Sequence, residues 1–364
     1  MDNKHYCIIM AGGIGSRFWP VSRNSKPKQF LDILGTGKTF IQQTYERFLK
    51  IVPQENILVV TSSQYEALVK EQLPDILSEN ILLEPYRKNT APCIAYATYK
   101  LSSINPDASV VVAPSDHLIL NEDMFTDTIR NGLEYADREN VLITLGIKPV
   151  RPETAYGYIQ YNKGKSMNIS GNTAYMVKTF TEKPDTDMAK VFIESGEFLW
   201  NSGIFIWNLR TIKEELEKYQ GEITSLFSKG EGLYYTENEP EFIESVYENC
   251  PSISIDYGVM EKTDKAVVYP APFGWSDLGT WASLAVQLGK DEDGNTVRAD
   301  KVLLEDVRKS LVISDEPGKL ITAANLDNFM IINTKDVLMI CPRDETIFKN
   351  IITDLSLEEL TDFQ

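Results

Sequence analysis

Short apolar runs alternate with longer amphipathic segments over about the first 145 residues of the chain. Runs rich in Val, Ile and Leu are typical of buried strands, and the segments between them carry apolar residues at helical spacing. This alternation predicts a parallel sheet with helices on both faces. The predicted strands are Tyr6–Met10, Ile57–Thr61, Asn80–Leu83, Ser109–Ala113 and Val141–Leu145, and the predicted helices are Phe40–Val52, Tyr65–Leu77, Thr90–Ile104 and Met124–Asp137.

The pattern changes twice in the rest of the chain. Between about residues 150 and 285 aromatic residues accumulate, and we interpret these segments as insertions that form one wall of a pocket. After Lys290 short apolar runs recur about every nine residues, which predicts stacked short strands. A β-helix is the favoured interpretation, and a plain sandwich or meander is the alternative. The runs are Val302–Leu304, Leu311–Ile313, Leu320–Ile321, Phe329–Ile332 and Val337–Ile340.

These patterns predict an α/β protein of two domains. We expect a Rossmann-like mixed, mainly parallel sheet with helices on both faces in a catalytic domain of residues 1–288. A small β-rich, β-helix-like domain of residues 289–364 should follow it. Ligands of parallel sheets bind beyond the carboxyl ends of the strands, so the loops after the strands are the places to look for chemistry.

Composition and charge narrow the function classes. The net charge is −17 over 364 residues, which argues against nonspecific binding to nucleic acid or to an anionic membrane. No stretch approaches the length of a membrane span, and the apolar run Tyr6–Ala11 is too short for a signal peptide. The cysteines have no CxxC spacing, which favours reduced, buried thiols. We therefore expect a cytoplasmic protein.

A glycine-rich and basic segment follows the first predicted strand. Its glycines allow positive φ angles and let a polyphosphate approach the backbone amides. Its four cations are unusual in so acidic a chain, and amides together with Arg and Lys are what triphosphate recognition requires. A glycine turn with a solvated basic face is the alternative. The glycines are Gly12, Gly13 and Gly15, and the cations are Arg17, Arg23, Lys26 and Lys28.

Two familiar phosphate motifs fail in the same region. The pattern GxGxxG would need glycine where Phe18 stands, so the dinucleotide fingerprint is not present. Gly35–Thr39 imitates the end of a Walker A motif, but the first glycine of that motif would fall at Asp32. We interpret Gly35–Thr39 as a surface turn.

The segment AGGIGSRFWPVSRNSKPKQF (residues 11–30) resembles the signature of the mannose-1-phosphate guanylyltransferases. In that family AGGxGxR is shared with the wider sugar-nucleotidyltransferase superfamily, and WPxSR and PKQF are more specific. Further segments match in the same order, over about residues 5 to 285 and more weakly beyond. They are EPYRKNTAP (84–92), APSDH (113–117), ETAYGYI (153–159), FTEKP (180–184), WNSGIF (200–205), SIDYGVMEK (254–262) and GWSDLGTW (274–281).

The resemblance implies a role for each matching residue. Ala11, Gly12, Gly13, Gly15 and Arg17 would hold the triphosphate, and Lys28 would contact the α-phosphate under attack. Glu84, Asn89, Thr90 and Ala91 would line the guanine pocket. Gly157, Glu182, Asn201 and Gly203 would contact the sugar, with Lys183 beside its phosphate. Asp116 and Asp277 would hold Mg²⁺, and Asp116 also belongs to the nucleotide site.

Several of these residues also have structural interpretations. Asp116 follows a predicted strand, where a carboxylate can bind a hard cation or begin the next helix. Asp277 could be an ordinary solvated aspartate, and Glu182 with Lys183 a mere surface pair. Asn201 lies among aromatic residues, so it needs polar partners, and a sugar hydroxyl is one possibility. His117 is interpreted as structural, because a sugar phosphate is already an anionic nucleophile.

The implied reaction joins GTP to mannose 1-phosphate and gives GDP-mannose and pyrophosphate. The resemblance implies in-line transfer that Arg17, Lys28 and Mg²⁺ assist, and we expect both side chains to be exposed in the empty pocket. Another sugar-1-phosphate nucleotidyltransferase, using UTP or dTTP with glucose 1-phosphate, is the first alternative. A non-catalytic module with the same fold is the second, although all four implied catalytic residues are present.

A third alternative is a bifunctional protein with a phosphomannose isomerase domain. Such a domain needs metal-binding histidines, and His5 and His117 are the two histidines in the sequence. We therefore expect a transferase alone. The C-terminal unit is a possible surface for a homodimer.

Overall fold

The computed structural model describes residues 4–357 and 360–363 of the chain, which form two compact units. Unit 1 contains the described residues up to Gly12 together with Ile41–Trp275. Unit 2 contains Gly13–Phe40 and the described residues from Ser276 onward. The predicted domain boundary at 288/289 lies inside unit 2, so a separate domain of residues 289–364 stays a prediction.

Unit 1 is built on a mixed sheet whose strands are mostly buried on both faces. Beyond this sheet lie a short strand after Pro114 and a two-residue strand that ends at Ser276. The strands are β1 (His5–Met10), β2 (Ile57–Ser62), β3 (Ile81–Glu84), β4 (Ser109–Pro114), β5 (Leu118–Ile119), β6 (Leu142–Ile147), β7 (Tyr158–Ile169), β8 (Asn172–Thr181), β9 (Phe198–Asn208), β10 (Ala266–Pro270) and β11 (Trp275–Ser276).

The sheet has nine strands in the order β3-β2-β1-β4-β9-β6-β10-β8-β7. Strands β3, β2, β1 and β4 are parallel to one another, as are β6 and β10. The mainly parallel half of the sheet was predicted, and each of its strands lies within one or two residues of the predicted bounds.

The sequence interpretation of the aromatic middle segment was wrong in one respect. Strand β9 is not an insertion, because it lies at the centre of the sheet, antiparallel to both β4 and β6. Its buried Phe205 and Trp207 belong to the core that Val110 and Val112 of β4 also enter. A central strand is apolar on both faces, so it lacks the alternation by which an edge strand is recognised.

Helices cover the sheet, and polar side chains cap several of their amino ends. Asn89, Asn121 and Asp185 each accept a hydrogen bond from a backbone N–H of the first helical turn. Such caps satisfy donors that lack partners within the helix. The helices of unit 1 are α1 (Phe40–Leu49, whose first residue belongs to unit 2), α2 (Glu66–Gln72), α3 (Thr90–Ser102), α4 (Glu122–Ala136), α5 (Thr186–Ser195), α6 (Leu209–Tyr219), α7 (Gly221–Phe227) and α8 (Glu239–Asn249). Unit 2 contains α9 (Trp281–Leu288) and α10 (Glu345–Leu357).

Unit 2 contains a small stack of strands. Its strands are β12 (Thr296–Arg298), β13 (Lys301–Arg308), β14 (Leu311–Ser314), β15 (Leu320–Asp327), β16 (Phe329–Asn333) and β17 (Leu338–Pro342). Strands β12, β14 and β16 pair in parallel, and β13 pairs in parallel with β15. From β12 to β16 successive strands therefore alternate between two sheets, which is the winding of a β-helix, as predicted. The last strand, β17, departs from this winding, because it pairs antiparallel with β16 in the same sheet. The nine-residue spacing was half of one coil.

Among the helices in residues 4–357 and 360–363, none combines the length and the apolar character that a bilayer crossing requires.

Candidate active site

The carboxyl ends of two adjacent central strands carry the first site residues. Met10 of β1 pairs with Pro114 of β4, and the Ser115 N–H donates to the Met10 carbonyl at 3.0 Å. Gly12 and the half-buried Asp116 therefore lie in the loops that leave neighbouring strands. Asp116 was predicted at the end of a central strand, and this placement is confirmed.

Glu84 ends β3 and is buried. Its Oε1 accepts a hydrogen bond from the Tyr247 hydroxyl at 2.9 Å, and its Oε2 would lie 3.2 Å from a Cβ added to Gly12. Burial raises the pKa of the Glu84 carboxyl to about 7, and the bond from Tyr247 lowers it in part. The carboxylate is thus presented beside Gly12, the first glycine of the glycine-rich and basic segment 11–30, which we call the phosphate loop. Tyr247 was missed, because nothing in the sequence marks it within α8.

The other residues of the implied guanine pocket are held by a distant segment. The Ala91 N–H donates to the Ile253 carbonyl at 3.0 Å, and the Ile255 N–H donates to the Thr90 hydroxyl at 2.8 Å. Asn89 is exposed, has a φ of 70°, and caps α3 through its Oδ1. Residues 253–255 therefore fix the start of α3.

The residues implied to contact the sugar converge on Gly157. A Cβ at this position would overlap Glu182 Oε2 and would lie 3.5 Å from the Cβ of Asn201. The Asn201 N–H also donates to the Gly157 carbonyl at 2.8 Å. Any larger side chain would therefore displace the Glu182 carboxylate from this position. Lys183 is exposed, and its Nζ lies 3.1 Å from Glu182 Oε1.

The Asn201 side chain is held by three groups. Its Oδ1 accepts hydrogen bonds from the Thr144 hydroxyl at 3.0 Å and from the Gly203 N–H at 3.1 Å. Its Nδ2 donates to Asp256 Oδ1 at 2.7 Å. Burial raises the pKa of Asp256 to about 6, the charge of Glu182 raises it further, and the hydrogen bond from Asn201 lowers it. The sequence had assigned no role to Asp256.

In unit 2 the phosphate loop folds closely over Lys28. Gly15 has a φ of 58°, and a Cβ there would lie 2.7 Å from the Lys28 Cβ, so both conformation and contact require glycine. The Gln29 amide donates to the Gly13 carbonyl at 2.8 Å. These contacts fix the turn that follows β1.

Three of the implied catalytic residues meet in unit 2. The Lys28 ammonium donates to the Asp277 backbone carbonyl at 2.5 Å. A Cβ at Gly279 would overlap Asp277 Oδ2 and would lie 3.1 Å from Arg17 Nη1, so these two groups flank the same glycine. Asp277 Oδ1 accepts from the Gly279 N–H at 2.9 Å. A carboxylate and two cations are thus gathered from the two ends of the sequence.

The expected exposure is confirmed for Arg17 and wrong for Lys28. Lys28 is only 3% exposed, because its ammonium lies over the rings of Phe18 and Phe40, at 5.7 and 5.1 Å from their centroids. A buried ammonium of this kind supports the fold as well as any reaction.

Arg23, counted among the cations for triphosphate recognition, has other partners. Its guanidinium donates to the Pro20 carbonyl at 2.6 Å, to the Phe363 carbonyl at 2.7 Å and to Asp336 Oδ1 at 2.8 Å. The Trp19 indole donates to the same Phe363 carbonyl at 2.5 Å. Arg23 therefore ties the phosphate loop to the C-terminal segment of unit 2.

Two minor interpretations agree with the structure. His117 Nδ1 accepts from the Trp275 indole at 3.1 Å, which is a structural role. The Walker-like segment is a surface turn in which the Asp32 carboxylate accepts from the Thr36 and Gly37 N–H groups.

The donor set suits a hard cation. Within the described ranges, no three His, Cys, Asp or Glu side chains are placed to hold a metal ion. Magnesium commonly takes only one or two carboxylates and completes its shell with phosphate oxygens and water. Asp116 and Asp277 are each half-buried carboxylates in loops, and each is by itself a suitable oxygen ligand for such an ion.

Comparisons with known proteins identify the family of the chain. A family model described as nucleotidyl transferase matches residues 6–293. Mannose-1-phosphate guanylyltransferase of Klebsiella pneumoniae is 39% identical over 344 residues, which are 93% of this chain and 71% of that protein. Mannose-1-phosphate guanylyltransferase of Escherichia coli strain K12 is 37% identical over 350 residues, 94% of this chain and 71% of that protein.

A similar fold is known from crystallography. A crystal structure described as mannose-1-phosphate geranyltransferase from Thermus thermophilus matches with a TM-score of 0.84 and 28% identity. The match covers 97% of this chain and 99% of that one, so it extends beyond residue 293 into the β-helix strands.

Proposed function

The chain belongs to the nucleotidyl transferase family and, within it, to the mannose-1-phosphate guanylyltransferases, and we propose that it joins GTP to mannose 1-phosphate, giving GDP-mannose and pyrophosphate. The observation that carries this proposal is the meeting of Arg17, Lys28 and Asp277 at the phosphate loop. Two cations beside a carboxylate suit a reaction in which charge moves between phosphate groups.

The reaction is an in-line displacement. A phosphate oxygen of mannose 1-phosphate attacks the α-phosphorus of GTP, the bond from that phosphorus to the bridging oxygen breaks, and pyrophosphate leaves. The nucleophile is already an anion, so no protein base and no covalent intermediate are required. The protein contributes by positioning two polyanions and by stabilising the charge that develops.

Each group of residues has its own task. Arg17 and Lys28 neutralise negative charge on the phosphates, and the amides around Gly13 and Gly15 bind phosphate oxygens. Asp116 and Asp277 would hold Mg²⁺ through their carboxylates, and bound Mg²⁺ supplies positive charge to the phosphates. The sugar binds at Glu182, Lys183 and Asn201, beside the glycines at 157 and 203.

Guanine is recognised at the segment from Glu84 to Ala91. The edge of guanine presents two neighbouring N–H donors, and a buried carboxylate is an acceptor for them. The rejection of a base that lacks these donors can be large, because it leaves a buried carboxylate oxygen of Glu84 without the donors that guanine supplies.

The cellular setting and the assembly are part of the proposal. The four cysteines are free and buried, which is typical of a reducing compartment, and we place the reaction in the cytoplasm. A homodimer through unit 2 stays a prediction, suggested by the exposed Leu303, Leu320 and Leu338 of its strands. Light scattering of the purified protein measures the assembly directly.

The decisive experiment measures pyrophosphate release over a grid of nucleoside triphosphates and sugar 1-phosphates. GTP with mannose 1-phosphate should give the highest kcat/KM. Equal or faster turnover of UTP or dTTP with glucose 1-phosphate would assign the chain to another branch of the family. No turnover with any pair would favour a binding module without activity.

A further inference from the structure

The side-chain amide of Asn201 can adopt two orientations of nearly the same shape. They differ in which of the groups around it meet the carbonyl oxygen and which meet the NH₂. Only one orientation presents the correct polar atom to a ligand. The neighbours of Asn201 therefore decide what the sugar pocket recognises.

Two of the three neighbours of the Asn201 amide have a fixed role as hydrogen-bond donor or acceptor. The Gly203 N–H can only donate, and it lies 3.1 Å from Oδ1. An ionised Asp256 can only accept, and its Oδ1 lies 2.7 Å from Nδ2. The Thr144 hydroxyl can do either, so it follows the other two. Reversing the amide would set its oxygen against a carboxylate and its NH₂ against an N–H.

The segment that carries Asp256 is held by hydrogen bonds to residues 88–91. It begins a short π-helical turn, Asp256–Met260, and the residue before it, Ile255, donates its N–H to the Thr90 hydroxyl. Ile253 exchanges backbone hydrogen bonds with Lys88 and Ala91. The segment that carries Asp256 is therefore anchored to the implied guanine-binding segment. Its carboxylate accepts a hydrogen bond from Asn201 in the implied sugar pocket.

Ionisation of the Asp256 carboxyl is energetically unfavourable at this position. No cation forms an ion pair with Asp256 in the described part of the chain, and the charges of Glu182 and Glu261 both disfavour its ionisation. An asparagine would have the same shape without this repulsion. A charge that destabilises its surroundings and is nevertheless present is typical of a functional site.

We propose that Asp256 is a positioning residue for sugar recognition, which orients the Asn201 amide so that its second Nδ2–H is presented to a hydroxyl of the sugar 1-phosphate. This inference rests on the proposed sugar pocket. It assigns to Asp256 the task of holding the Nδ2 side of the amide, as the Gly203 N–H holds the Oδ1 side. The Thr144 hydroxyl cannot perform this task, because it bonds to Oδ1.

The test is Asp256→Asn, which keeps the shape but replaces a group that can only accept by an amide that can also donate. We expect the KM for mannose 1-phosphate to rise about tenfold, the scale of one misaligned hydrogen bond, while the KM for GTP stays within about twofold. The melting temperature should hold or rise, because a repelled charge is removed. The matched control is Glu261→Gln, an exposed neighbour that also repels Glu182 but has no bond to Asn201. It should leave both KM values unchanged.

A double-mutant comparison distinguishes positioning from direct binding. In an Asn201→Ala background, Asp256→Asn should cause no further rise in the KM for the sugar phosphate. A full additional rise there, or a single variant with unchanged KM, overturns the proposal. If Asp256→Asn does not fold, Asp256→Ala is compared in the same way.

The outcome is independent of the substrate assignment. If the wild-type protein prefers a different sugar phosphate, the proposed function fails, and the KM for the preferred sugar phosphate then tests Asp256. A rise in the nucleotide KM of equal size would show a general loss of structure and would also overturn the inference.

Discussion

Units 1 and 2 assemble their polar groups in different ways. In unit 1 the residues implied to contact the base and the sugar lie on strands of the large sheet or on the segments that follow and precede them, and Glu84 and Asp256 have raised pKa values because they are buried. In unit 2 the cations Arg17 and Lys28 lie on a loop that is fastened by hydrogen bonds to its surroundings. The difference suggests that unit 1 selects the substrates and unit 2 neutralises phosphate charge.

From this difference we predict how substitutions in each unit should change KM and kcat. Groups that contact parts of a substrate which do not react should mainly change KM, whereas groups that stabilise developing charge should mainly change kcat. Asp116 is the expected exception, because it lies in unit 1 but is a proposed metal ligand.

The largest effect should follow from loss of a metal carboxylate. Asp116→Asn and Asp277→Asn keep the side-chain shape, and each should lower kcat by more than about 10³-fold, beyond the loss of a single oriented donor. Excess Mg²⁺ should restore only part of the activity. Chelation should abolish wild-type turnover, and added Mg²⁺ should recover it.

The controls for the metal ligands are exposed aspartates of each unit, Asp187→Asn and Asp306→Asn, which should behave as wild type. Because asparagine keeps the side-chain shape and an acceptor oxygen, thermal stability should change little. Near-normal kcat for either Asp116→Asn or Asp277→Asn would remove that residue from the metal site.

The next effect separates the two cations of unit 2. Arg17→Ala and Lys28→Ala should each lower kcat by about 10²–10³-fold. Lys28→Ala should also destabilise the fold by about 1–3 kcal/mol, because it removes a buried donor to the Asp277 carbonyl. The exposed Arg17 should have little effect on the melting temperature. Steady-state kinetics and thermal melts measure both quantities.

Lys38→Ala is the matched control, since Lys38 is the lysine of the Walker-like turn. Its activity should be unchanged. A loss of activity as large as that of Lys28→Ala would move the phosphate site to residues 35–39.

A smaller effect should come from the attachment of the phosphate loop. Arg23→Ala removes the bonds to the Pro20 and Phe363 carbonyls, so the loop must be ordered by GTP itself. We expect the KM for GTP to rise about tenfold, with a smaller change in kcat. Asp336→Asn removes only the exposed ion pair and should change little. An unchanged KM in Arg23→Ala would show that the attachment serves stability alone.

The sequence was informative wherever a residue's role depends on local pattern. The strands from β1 to β4 were predicted from their apolar runs. The resemblance indicated Arg17, Lys28 and Asp277 as site residues, and the structure brings these three together in unit 2. What could not be predicted depends on distant partners. Lys28 is buried because Phe18 and Phe40 cover it, and no property of the lysine itself indicates this.

The contacts of Arg23 and Asp256 could not be predicted for the same reason. Arg23 looked like a phosphate ligand because its neighbours are basic, but two of its three acceptors, at Asp336 and Phe363, lie more than 300 positions away in sequence. Asp256 had a weak signal, a carboxylate inside a mostly apolar motif, yet its partner Asn201 is apparent only in the folded chain.

The smallest effect tests unit 1 through its buried carboxylate. Burial raises the pKa of Glu84 to about 7, so lowering the pH through this value protonates it and removes an acceptor for guanine. The KM for GTP should therefore rise about fivefold from pH 8 to pH 6, because binding favours the ionised form. Glu84→Gln cannot titrate, so its KM for GTP should be higher than that of the wild type at pH 8 and nearly independent of pH. The same pH series on the variant corrects for ionisation of GTP itself. If wild type and variant change in parallel, Glu84 does not read the base, and selection in unit 1 must rest on the backbone of residues 89–91.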